Sequence, residues 1–122
     1  MDENKFRHIF SYKNYFLDFF QKQKPKVKEK ILWTFMVIET VEKIPIEYFK
    51  HMEGTNGLYE IRVQFGSDIF RIFCFFDEGK LVVLTNGFQK KTQKTPRKEI
   101  EKAEKIMKEY FEEQKNKENG NK

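Results

Sequence analysis

The sequence predicts an α+β domain of order βααβββα: two N-terminal helices packed on a small, mostly antiparallel sheet, with a C-terminal helix. Three observations predict it. Apolar residues between Tyr15 and Val41 recur at helical spacing, those between Tyr59 and Phe76 alternate with a period of two, and Pro96 opens another helical pattern near the end. With 122 residues, 39% of them hydrophobic, the chain can bury one compact core and is too short for two ordinary domains. Fourteen Phe, five Tyr and one Trp let that core form from few side chains, each burying roughly 150 to 250 Å². A single domain is expected over residues 1–111.

The elements follow in order. KFRHIFSY, residues 5–12, reads as a short strand, and KNYFLDFFQKQ, residues 13–23, as a helix with Tyr15, Phe16, Phe19 and Phe20 on one side. Pro25 opens a second helix whose apolar residues Val27, Ile31, Phe35, Ile38 and Val41 run to Ile44, where Pro45 cannot continue the ladder. Such an aromatic stripe is core rather than a cofactor box. After a loop containing Gly54, Asn56 and Gly57, Tyr59, Ile61, Val63 and Phe65 alternate with Glu60, Arg62 and Gln64, the pattern of a half-buried strand. Gly66-Ser67 makes a two-residue turn, and the strand Asp68 to Phe76 puts Phe70, Ile72, Cys74 and Phe76 on one face, Arg71, Phe73 and Phe75 on the other. A third strand, LVVLTNGF from Leu81, follows Asp77-Glu78-Gly79-Lys80. The last helix begins after Thr95, with Pro96 at its first position and Ile100, Ala103, Met107, Tyr110 and Phe111 facing inward. Residues 112–122, EEQKNKENGNK, have nothing apolar to bury and are expected to be a disordered polar tail.

The first hairpin carries the sharpest inference. If Phe65 pairs with Asp68, Arg62 falls directly opposite Arg71. Like charges so opposed destabilise a sheet, their Cβ atoms only about 4.5 to 5.5 Å apart, unless an anion or carboxylate lies between them. One reading is a phosphate site; the other is that Glu60, on the same face, neutralises both arginines as an ordinary salt-bridge cluster. If the second hairpin pairs Asp77 with Lys80, Arg71 lies opposite Asn86, and the same parity brings Phe88 and Lys90 to that face. Phe88 could stack on an unpaired base, and cations there could neutralise charge developing on a phosphate.

Composition narrows the partners. Twenty-four Lys and Arg against nineteen Asp and Glu give a net charge of +5, which favours anionic partners. Lys90, Lys91, Lys94, Arg97 and Lys98 lie in an Asn86–Lys98 stretch without an acidic residue. The bland reading of that run is a solvated loop and helix start. One cysteine, Cys74, excludes an intramolecular disulfide, and with two scattered histidines it makes no zinc pattern. With no spanning apolar run and no signal sequence in MDENKFRHIF, a cytoplasmic protein without membrane contact is expected.

The segments GLYEIRV at 57–63, FRIFCFF at 70–76, LVVLTNGFQKKTQKTP at 81–96 and the helix EIEKAEKI after them resemble the HigB-like branch of the RelE/ParE toxin superfamily of type II toxin-antitoxin modules. The resemblance covers nearly the whole chain. It implies a RelE-like fold and a metal-independent, cofactor-free endoribonuclease that cleaves translated mRNA on the ribosome and so inhibits translation. The partner it implies is a HigA-like helix-turn-helix antitoxin, bound in a hetero-oligomer. In such toxins the 2′-hydroxyl attacks its neighbouring phosphate and basic residues stabilise the pentavalent intermediate. By matching segments, Arg62 and Arg71 fall on the phosphate-positioning and charge-stabilising positions. Lys90 and Lys91 fall on the basic position after the last strand, for leaving-oxygen or backbone contacts. Phe88, Lys94, Arg97 and Lys98 extend the expected RNA surface.

Two departures touch the proton-transfer groups. Glu60 stands where the RelE type has a lysine, and no tyrosine follows KKTQK. Glu60 is the candidate general base for the 2′-hydroxyl, with a structural salt bridge to the arginines as its alternative. His51, expected in the loop before the sheet, could reach RNA but reads more simply as a surface residue. Two other functions stay open: a ParE-like gyrase inhibitor without nuclease activity, against which the full basic set argues, and a degenerate, non-catalytic RNA- or antitoxin-binding module.

Overall fold

The computed structural model describes residues 5–120. In chain order the elements are β1 (His8–Ser11), α1 (Tyr15–Gln21), α2 (Pro25–Thr40), β2 (Phe49–His51), β3 (Leu58–Phe65), β4 (Asp68–Asp77), β5 (Leu81–Lys90) and α3 (Arg97–Gly120). They build one five-stranded sheet of order β1-β5-β4-β3-β2. Only β1, which pairs with β5, runs parallel to its neighbour. The α+β class and the mostly antiparallel sheet are as the sequence predicts.

One strand was not expected. β2 pairs Phe49, Lys50 and His51 with Ile61, Glu60 and Tyr59, so the order is βααββββα. Three residues are too few to show an alternation. What holds them is aromatic: the Phe49 ring stacks on Tyr59 at 5.0 Å and 11°, and His51 meets the same ring edge-on at 5.1 Å. His51 therefore sits on the sheet edge, not in a loop.

α2 starts with Pro25 in its first turn and stops at Thr40, earlier than Pro45 requires, with Val41 already extended. The end is set by Arg7, whose guanidinium donates to the carbonyls of Ile38 at 3.0 Å, Val41 at 2.9 Å and Glu42 at 2.6 Å. The Ile38 and Val41 carbonyls are among the oxygens that a helix end leaves without partners, and Glu42 follows the cap. Glu39 accepts from the Ile9 amide at 2.9 Å, tying β1 to the same helix end.

The sheet is covered on both faces. Ile61, Val63, Phe70, Ile72, Cys74, Val82 and Leu84 pack under α1 and α2 with Phe16, Val27, Ile31 and Ile38. On the other face Leu58, Phe73, Phe75 and Val83 pack under α3 with Tyr12, Ala103, Ile106, Met107 and Tyr110. The strand face that alternation marks as polar is thus apolar at the α3 end and polar only towards the Gly66-Ser67 turn.

α3 continues past Glu112 to Gly120, where a disordered tail was expected, and residues 121 and 122 lie outside the described residues. A polar contact holds the start of this extension, the Tyr12 hydroxyl donating to Glu113 at 3.0 Å, and one turn earlier the Tyr15 hydroxyl donates to Glu109 at 2.6 Å. Ile106 takes the inward place expected for Phe111, which is exposed. No helix among the described residues is long and apolar enough to cross a membrane.

Candidate functional site

The Gly66-Ser67 turn sets the site. Gly66 has φ +62, a left-handed conformation that glycine adopts without strain, and the turn pairs Phe65 with Asp68 and therefore Arg62 with Arg71. Both guanidinium groups lie on the face that α3 leaves partly uncovered. Glu60, two residues before Arg62, reaches both: its Oε1 is 3.2 Å from Arg62 Nε and 3.6 Å from Arg71 Nε. These are ion-pair contacts without a hydrogen bond, and among the described residues both Nε atoms are shielded donors without a hydrogen-bond acceptor. Such donors each cost about 1 to 3 kcal/mol, a cost an anionic oxygen placed between them would remove.

Burial separates the two arginines. Arg71 is 7% exposed, and among the described residues its one hydrogen bond is the donation to the Phe70 carbonyl at 3.1 Å. Burial pulls its pKa below the usual arginine range, Glu60 opposes that, and the neighbouring Arg62 adds to it. An arginine keeps its proton in proteins, so the lowered direction means a cation held at a cost. Arg62 is more open and donates to the Ile46 carbonyl at 3.4 Å. Together they line a cavity of about 330 Å³ with Lys30, Glu47, Tyr48, Val63, Gln64 and Ile69.

The second hairpin differs from its expected register. Its loop is one residue longer, with Glu78 at φ 53 and Gly79 at φ 75, so that Asp77 pairs with Leu81. A bulge then adds another residue on β5 between the pairs Cys74↔Leu84 and Ile72↔Gly87. Arg71 consequently faces Phe88, not Asn86. Two one-residue shifts preserve parity, so Phe88 and Lys90 still lie on the arginine face. Asn86, buried in the bulge, donates instead to the Glu99 carbonyl at 3.1 Å and carboxylate at 3.0 Å, pinning the start of α3 over the sheet.

The structure thus brings Glu60, Arg62, Arg71, Phe88 and Lys90 to one face. Phe88 is half-buried, edge-on to Phe73 at 5.3 Å, which leaves only part of its ring free. Lys90 and Lys91 line a neighbouring hollow of about 370 Å³ with Thr92, Gln93 and Ile69, and Ile69 also lines the arginine cavity. Lys94, Arg97 and Lys98 line neither. Arg97 is turned to Glu101 at 3.3 Å on its own helix. Besides Val63, Gln64 and Ile69 of the hairpin itself, three cavity residues come from outside it and are not candidates from the sequence: Lys30, Glu47 and Tyr48. Lys30 belongs to a lysine run, KQKPKVKEK at 22–30, whose charge density was the available signal; Glu47 and Tyr48 precede β2 and carried none.

Chemically, two opposed guanidinium groups with one shared carboxylate offer donors to the non-bridging oxygens of a phosphodiester. The lysines beside them extend positive charge along a strand direction. Residues 18–108 match the family model described as Phage derived protein Gp49-like (DUF891). A comparison with curated proteins found no match.

Proposed function

The chain belongs to the phage-derived Gp49-like family, a toxin-like family related to RelE and HigB, and from that premise we propose that it is the toxin of a type II toxin-antitoxin module acting as a ribosome-dependent mRNA endoribonuclease. The observation that carries the reading is the direct opposition of Arg62 and Arg71, with shielded donors beside an open cavity. In the reaction the 2′-hydroxyl of one nucleotide gives its proton to solvent and attacks the adjoining phosphorus, negative charge grows on the equatorial oxygens, and the bond to the 5′-oxygen breaks, that oxygen taking a proton from solvent to leave a 2′,3′-cyclic phosphate and a 5′-hydroxyl. Arg71, fixed by burial, positions the phosphate; Arg62, more exposed, meets the developing charge. Lys90 and Lys91 take the backbone beyond the leaving oxygen.

Glu60 is within ion-pair distance of both arginines, and this supports its role as their counter-ion more than as the base. As counter-ion it keeps two like charges together until a phosphate arrives. An HigA-like antitoxin would silence the toxin, and a cytoplasmic setting follows from a substrate on the ribosome.

The test is induced expression of the wild type beside Arg71→Ala, with growth followed and mRNA 5′ ends mapped. Growth arrest with new ends inside translated reading frames, lost in the variant, is the expected result. Arrest without new ends would move the target to gyrase or elsewhere, and no arrest would indicate a degenerate binding module.

A further inference from the structure

The outer face of α2 carries a surface that the arginine cavity shares only at Lys30. Trp33 is 40% exposed, Leu32 54% and, across from them on β3, Phe65 42%. With Lys26, Glu29 and Lys30 they line a shallow hollow of about 570 Å³. The positive charge is local and dense: Lys22, Lys24, Lys26, Lys28 and Lys30 stand in nine residues with Glu29 as the only acid. Lys30 lies over the Trp33 ring, 4.6 Å from its centroid, and Trp33 meets Tyr48 edge-on at 5.4 Å.

Continuity decides what this shelf holds. Lys30 lines both the shelf and the arginine cavity, and Tyr48, in contact with Trp33, lines that cavity too. A strand whose phosphate rests between Arg62 and Arg71 therefore meets, on its way out past Lys30, exposed aromatic rings bordered by lysines. That combination suits single-stranded nucleic acid, whose bases stack on aromatic side chains while its phosphates pair with cations. A purely apolar partner would not account for Lys26 and Lys30 in the lining.

We propose that this shelf is a second nucleotide subsite, where an unpaired base next to the bound phosphate stacks on Trp33 and Phe65 and Lys26 and Lys30 hold its backbone. The inference rests on reading the arginine cavity as a phosphate site, and its test separates the two. Trp33 is the single tryptophan of the chain, so its fluorescence reports on the shelf directly. The full chain is titrated with 2′-deoxy-substituted, uncleavable oligonucleotides of about 4 to 16 nucleotides. Quenching of Trp33 that saturates, weakens with salt and is reduced about ten-fold in affinity by Lys26→Glu is expected. In parallel, anisotropy of a labelled oligonucleotide should show a loss of about ten-fold or more for Trp33→Leu, as losing a stacking contact does.

Binding that depends on Arg71 but neither quenches Trp33 nor responds to Lys26→Glu would overturn the subsite and leave the proposed function standing. Quenching unchanged in Arg71→Ala would retain the shelf as an RNA site and remove the arginine cavity. Quenching by an acidic peptide but by no oligonucleotide would overturn the subsite in favour of a protein-docking surface.

Discussion

Arg62 and Arg71 are directly paired across the β3–β4 hairpin, and a single carboxylate oxygen, Glu60 Oε1, stands 3.2 Å and 3.6 Å from their Nε atoms. Removing that charge leaves two opposed cations, one of them buried. Glu60→Gln should therefore destabilise the fold by about 1 to 3 kcal/mol, less than a fully buried pair would lose because Arg62 stays 29% exposed. Arg71→Ala leaves Glu60 paired with Arg62 and should change stability by less than about 1.5 kcal/mol. Urea denaturation of both variants reads the difference. If Arg71→Ala unfolds while Glu60→Gln is neutral, the arginine is a core strut and the phosphate reading fails.

An anion should do for the pair what Glu60 does only in part. Inorganic sulfate or phosphate, binding the folded state alone, should raise the melting temperature, with about 2.7 kcal/mol gained at one hundred times its dissociation constant. The gain beyond a matched chloride control should vanish in Arg71→Ala. A shift that persists in that variant would locate anion binding elsewhere, with the α2 lysines the first place to look.

Gly87 shows how closely α1 approaches the sheet beside this site. A Cβ built there would lie 2.5 Å from the Phe19 ring, deep inside contact distance. Gly87→Ala should push the ring off β5 and cost about 1 to 3 kcal/mol, the usual range for overpacking. Phe19→Leu in the same chain should recover part of that loss, and a double-mutant cycle by thermal denaturation checks the coupling.

What the sequence revealed and concealed follows from which signals were local. The β3–β4 register was readable because a two-residue turn fixes it, and with it the meeting of Arg62 and Arg71. The β4–β5 register was not, because a longer loop with Glu78 left-handed and a bulge at Thr85-Asn86 each insert a residue that no periodicity shows. β2 escaped for want of length. Lys30, Glu47 and Tyr48 escaped because they reach the cavity from other elements, a juxtaposition only the tertiary fold creates.

Tyr110 gives the chain a pH dependence whose sign can be worked out. Its hydroxyl donates to Asp77 Oδ2 at 2.7 Å, locking α3 to the end of β4. Burial first, then the hydrogen bond to Asp77 and its charge, push the Tyr110 pKa well above the usual value of about 10. Below that value both folded and unfolded chains keep the proton, and the contribution is fully present. Above it the unfolded chain gives up its proton first and binds fewer than the folded one, so stability falls as pH rises towards the raised folded value. Tyr12, raised chiefly by burial, and Tyr15, raised chiefly by its hydrogen bond to Glu109, act in the same direction. Tyr110→Phe should cost about 1 kcal/mol at neutral pH through the lost hydrogen bond, and should make the alkaline decline shallower. Urea midpoints measured from pH 7 to about 11 check both effects. An unchanged alkaline slope would mean that Tyr12 and Tyr15, through their contacts with Glu113 and Glu109, set the pH dependence of the α3 seam.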